Sequence, residues 1–98
     1  MDNQHQKIKG YRDLSQKEID LMNKIKTKGQ ELEALLGEVH DHLQKQTVDA
    51  LNFEKSGNPA EVDRIDAAQP QRWTAMARTD FQTGLMALTR AIAQPTTF

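Results

Sequence analysis

Leu14-Ser15-Gln16-Lys17-Glu18-Ile19 decides how the chain is read. Ser15 stands as a helix N-cap and Glu18 follows three residues later, the reciprocal pattern in which each side chain satisfies the other's backbone N–H. Leu14 and Ile19 flank the cap as an apolar pair that clamps the first turn. From there Met22, Ile25, Leu32, Leu36, Val39 and Leu43 recur at steps of three and four, with Gly29 filling one vacant seam position. That spacing predicts one long helix over 15–50 with a single apolar stripe. A helix of about 30 residues spans roughly 45 Å. Such a rod needs a surface to bury its stripe against.

Outward from this helix the punctuation is sparse. Residues 1–13 form a polar arm or short helix, broken by Gly10 before Tyr11-Arg12-Asp13. Phe53-Glu54-Lys55-Ser56-Gly57-Asn58 is a loop over 53–58. Asn58-Pro59-Ala60-Glu61 then reads as an N-cap, a proline at the first helical position and an acid in the first turn. The chain is predicted helical over 59–93 with an interruption near 69–70 at Gln69-Pro70, and 94–98 is a tail. The last stripe is Trp73, Met76/Ala77, Phe81, Leu85, Leu88 and Ile92. Only eight residues are Val or Ile, and none alternate, so no strand is expected. The fold class is all-α, a single helical-hairpin domain over 1–98.

Composition limits what this hairpin can do. In 98 residues only 37% are hydrophobic, and the mean hydropathy is -0.76. A private core is therefore small, and a core shared between copies is the natural remedy. With no Cys there is no disulfide, thiolate metal site or cysteine nucleophile. No apolar run is long enough to span a bilayer and no leader is recognisable, which predicts a soluble protein of a reducing compartment. The net charge of -1 argues against a DNA or membrane binder. Its distribution is uneven: residues 1–30 carry seven Lys or Arg against four acids, 31–66 carry three against nine, and 67–98 carry three against one. A small anion would be drawn to the first or last third.

The candidate chemistry is thin. His40-Asp41-His42 places two imidazoles two residues apart, on different faces of a helix, so solvated surface is favoured over a metal site. The serines are a cap, Ser15, and a loop residue, Ser56, and the five glycines are scattered singly. Nothing here makes a catalytic group or a phosphate-cradling loop, so no enzyme and no cofactor is expected. The basic cluster Lys7, Lys9, Arg12, Lys17, Lys24, Lys26 and Lys28 surrounds Tyr11, the sole tyrosine. An aromatic face beside cations suits a nucleobase next to its phosphate. Local sequence alone favours the plainer reading, Tyr11 packed over the helix start and the lysines solvated. Arg72-Trp73 and Arg78-Thr79-Asp80 form a second polar-aromatic patch, for which core or interface packing again leads.

Two longer stretches add to this. Met1-Asp2-Asn3-Gln4-His5 with Lys7-Ile8-Lys9-Gly10-Tyr11-Arg12-Asp13-Leu14-Ser15 strongly resembles the start of the phage-encoded anti-CBASS sponge proteins of the second type. Arg72-Trp73, Thr79-Asp80, Gln82-Thr83-Gly84 and Arg90-Ala91-Ile92-Ala93-Gln94-Pro95 resemble their other end. CBASS is a bacterial defence in which infection triggers synthesis of cyclic oligonucleotides that activate a killing effector. The resemblance implies a protein of the infected host's cytoplasm that binds this messenger without cleaving it. It implies two long antiparallel helices plus a short N-terminal helix, assembled as a homo-oligomer, a hexamer. It also implies that Tyr11 stacks on a base and Lys26 contacts a phosphate of a cyclic dinucleotide such as cyclic GMP-AMP. A separate pocket for a cyclic trinucleotide such as cyclic tri-adenylate would fall to Arg72, Trp73 and Thr79. The alternative is a structural or adaptor oligomer whose seam docks a partner helix and whose basic clusters are plain surface.

Overall fold

The computed structural model describes residues 12–55 and 57–97, and among these it contains three helices and no strand. They are α1 (Gln16–Leu51), α2 (Pro59–Ala68) and α3 (Pro70–Ala93). The all-α class stands, but the count differs from two long helices plus a short N-terminal one. The expected N-terminal helix lies outside the described residues, and the ten-residue α2 is a separate element. Contacts sort the chain into two compact units, one built from the chain up to Glu31 and from Phe81 onward, the other from Leu32–Asp80.

In the first unit the capping box forms as its residue types require. Ser15 Oγ accepts from the Glu18 N–H at 3.2 Å, and the Ser15 N–H donates to Glu18 Oε1 at 2.9 Å. Leu14 and Ile19 are both half-buried. Arg12 donates to Glu18 Oε1 at 3.1 Å, pairs with Oε2 as well, and reaches the Ile92 carbonyl at 2.8 Å near the end of α3. Farther along, a Cβ added at Gly29 would sit 3.2 Å from Leu85 Cδ1. Arg12 beside Ile92 and Gly29 beside Leu85 make α1 and α3 antiparallel within this unit. The Leu85 side chain packs tightly over Gly29, so a seam position without a side chain suits this contact.

The second unit holds every buried apolar residue among those described: Leu36 and Ala50 on α1, and Ile65 on α2. A tight loop folds α2 back. The Gly57 N–H donates to Asn52 O at 2.6 Å and the Asn58 N–H to Ala50 O at 3.1 Å. A Cβ at Gly57 would collide with the backbone of Asn52 and Phe53, so the loop needs glycine at that position. Asn58 is extended (φ -142, ψ 114), and its side chain accepts from the Ala60 N–H at 3.0 Å, with Pro59 at the first helical position. One residue separates α2 from α3. Gln69 is left-handed (φ 49, ψ 54) and its N–H donates to Ile65 O at 2.9 Å before Pro70 starts the next helix. Gln94 repeats the device at the end of α3, with φ 53 and its N–H on Arg90 O at 2.8 Å, ahead of Pro95. A left-handed residue followed by proline is an efficient helix stop.

Candidate functional site

The first unit has a groove of about 640 Å³, within the range of small-molecule sites. Met22, Ile25, Lys26 and Gly29 form its α1 wall, at the i, i+3, i+4, i+7 spacing of one helical face. Leu85, Met86, Thr89, Arg90 and Ala93 form the α3 wall, and Pro95 closes the end. Most of this surface is apolar. The Thr89 hydroxyl is already committed to Leu85 O at 3.0 Å. Among the described residues the ionisable groups in the lining are Lys26 and Arg90, and none is a carboxylate. An apolar cleft with cations at its rim can take a flat hydrophobic ring and hold an attached anion.

Lys26 therefore stands on the groove wall, as an exposed side chain. Tyr11, the other residue expected of a dinucleotide site, lies outside the described residues. Its neighbour Arg12 is described and is held by Glu18 and the Ile92 carbonyl. Arg12 first, and the Ser15 N–H second, pull the Glu18 carboxyl down to about 2 from 4.5. Because the folded value is the depressed one, this pairing contributes stability above about pH 4.5 and loses it as pH falls towards 2. Acid titration followed by helix signal should show the wild type losing stability across that window. Glu18→Gln should flatten the loss while starting from a lower stability at neutral pH. An unchanged acid profile in the variant would place the pairing outside the stability balance.

In the second unit, α3 presents two shallow recesses. Arg72 and Thr79, seven residues apart on one face, share a recess of about 340 Å³ with Ala75, Met76 and Asp80. The Arg72 guanidinium lies over the Trp73 ring, 5.6 Å from its centre, and Trp73 is 58% exposed. Arg72 and Thr79 are thus brought together, while Trp73 attaches to the group through Arg72 and does not line the recess. Asp80 puts a carboxylate in the same wall. The other recess, about 480 Å³, is lined by His40, Gln44, Gln71, Thr74, Ala75 and Arg78. His40 Nδ1 meets Gln71 Oε1 at 3.3 Å. Among the described residues neither Arg72 nor Arg78 has an ion-pair partner.

Asn23, Thr89 and Arg90 also line the first groove; Arg90 falls in the stretch that carries the family resemblance, but none of the three has a local signal for a site. Antiparallel pairing of α1 with α3 is what would have found them, since Arg90 falls on the same α3 face as Leu85, Met86 and Ala93.

The family model described as the Acb2/Tad1 hairpin domain matches residues 3–93. Anti-CBASS protein 2 of Pseudomonas phage JBD67 is 50% identical over 105 aligned positions, covering 97% of this chain and 97% of that protein. Both matches run through the capped start of α1, the groove walls and the Arg72–Thr79 face together. A match of that extent, on helices arranged as an antiparallel pair, makes the chain a member of the Acb2/Tad1 hairpin-domain family.

Proposed function

We propose that this protein captures cyclic dinucleotide messengers, cyclic GMP-AMP among them, and holds them intact, so that CBASS effectors in the infected cell stay inactive. The reading rests on the groove between α1 and α3 in the first unit: an apolar cleft with Lys26 on one wall and, among the described residues, no carboxylate in its lining. Its relative's name, an anti-CBASS protein, supports the same direction. In this reading Lys26 neutralises a phosphate and Tyr11 stacks on a base. Base–aromatic stacking contributes roughly 1–3 kcal/mol per base.

The proposal includes assembly. The first unit has no buried residue among those described, and Met86 and Leu88 on α3 are 71% and 53% exposed. Residues two apart point to different faces of a helix, so Met86 and Leu88 offer two exposed apolar surfaces. A second copy on the Met86 side would place two Lys26 and two Tyr11 around one two-fold axis. A cyclic dinucleotide has two bases and two phosphates in the same near-symmetry. We propose a homo-oligomer, a hexamer, with Arg72, Trp73 and Thr79 serving cyclic trinucleotides such as cyclic tri-adenylate at a separate site. No role in this scheme requires bond cleavage, and the protein acts as a binder, not an enzyme.

Calorimetry against a panel of cyclic di- and trinucleotides tests the reading. Tight binding of at least one cyclic dinucleotide is expected, and chromatography after heat release should return it uncleaved. Absence of heat with every member of the panel would leave the adaptor reading in its place, and linear product accumulating with time would make the protein an enzyme. Light scattering during gel filtration should give a mass several times 11.1 kDa. A monomer at micromolar concentration would remove the shared site. Arg72→Ala should weaken trinucleotide binding and spare dinucleotide binding. Loss of both ligands from an intact assembly would show a single shared site.

A further inference from the structure

We infer that Arg90 is a second anion-contacting residue of the groove, gripping a phosphodiester of the ligand opposite Lys26. The inference rests on the proposed capture of cyclic dinucleotides. Lys26 stands on the α1 wall and Arg90 on the α3 wall of one groove, and among the described residues no carboxylate in the lining neutralises either. Two like charges facing one apolar cleft lose their mutual repulsion when an anion sits between them.

Arg90 is exposed and has no ion-pair partner among the described residues. Its described contact is one long hydrogen bond, Nη2 donating to the Thr97 carbonyl at 3.3 Å. A guanidinium has five N–H donors in a planar fork that matches two phosphate oxygens, so a neutral carbonyl uses little of its capacity. The backbone turn at Gln94 and the groove-lining Pro95 set the course of the tail that carries Thr97 beside Arg90. The Thr97 carbonyl is thus a resting partner, and a phosphate exchanges for it with a stronger, charge-assisted bond.

A competing role is evident from position. Arg90 lies in the last turn of α3, where a cation stabilises the helix end without any ligand. The two roles give different readouts. The experiment titrates cyclic GMP-AMP, in its 2′–5′ and 3′–5′ linked forms, into wild type, Arg90→Gln, Arg90→Lys and Lys26→Ala by calorimetry. Melting temperature and assembly mass are recorded for each protein. Arg90→Gln is expected to weaken binding about 10–100-fold with mass unchanged. Arg90→Lys, which keeps the charge and loses the fork, should recover part of that loss. Wild-type affinity in Arg90→Gln, alongside lost binding in Lys26→Ala, would overturn the role of Arg90 and leave the capture reading intact. A loss in Arg90→Gln seen only with a changed assembly mass or a collapsed melting temperature would assign Arg90 to the helix end. No binding by the wild type would overturn the capture reading itself and this inference with it.

Discussion

Tyr11→Ala and Lys26→Ala are each expected to abolish cyclic dinucleotide binding while leaving the assembly mass unchanged. The reason is multiplicity. In a site shared by two copies, one substitution removes two stacks or two phosphate contacts at once. Free energies add while affinities multiply, so a contact that alone accounts for tenfold accounts for about a hundredfold when lost twice. Lys26 lies on an exposed groove wall, so its truncation leaves no buried hole and should not disturb folding. Calorimetry with each variant, paired with light scattering, checks the claim. Wild-type affinity in Tyr11→Ala, in an oligomer of unchanged mass, would show that the base-stacking role does not belong to Tyr11.

The other large effect is on folding. Ile65→Ala is expected to destabilise the protein by about 2–5 kcal/mol, measured by urea unfolding. Ile65 is 7% exposed and is one of three buried apolar residues among those described, with Leu36 and Ala50. Domains of this size have a net stability of about 5–15 kcal/mol, so the loss is a large fraction of the total. Alanine is a good helix former, so α2 itself would survive and the deficit would be one of packing. A change below about 0.5 kcal/mol would be the value of an ordinary surface site and would show that Ile65 does not anchor the second unit.

Much of the architecture is legible because local rules decide it. Ser15 and Glu18 start α1, the three-four spacing from Met22 to Leu43 sustains it, and Asn58-Pro59 starts α2. What escapes is whatever depends on a backbone state that the residue type does not advertise, or on which helix faces which. Gln69 and Gln94 adopt left-handed conformations for which glycine is the usual signal, so the sequence around Gln69 shows an interruption and hides its geometry. Trp73, Phe81 and Leu88 belong to a clear apolar stripe, yet they stay 58%, 37% and 53% exposed, because periodicity defines a face and not its cover. The candidate site divides along the same line. Lys26 and Tyr11 came forward through resemblance, since charge runs in isolation read as solvated surface. Arg90 and the His40–Gln71 contact depend on pairing across helices, which no single stretch contains.

The charge arrangement of the groove bears on time as well as affinity. Among the described residues its two ionisable lining groups, Lys26 and Arg90, are both basic. Lys24 lies on α1 beside the groove, while Lys28 is already paired with Glu31. An anion approaching through solvent feels this field before any contact forms, within about 8 Å at physiological salt. Steering of that kind raises association rates by about 10–1,000-fold and fades as ionic strength rises. In the proposed capture role, the binder races the effector's own receptor site for each freshly made messenger. Arrival rate sets the outcome of that race first, and dissociation rate decides only whether the lead is kept.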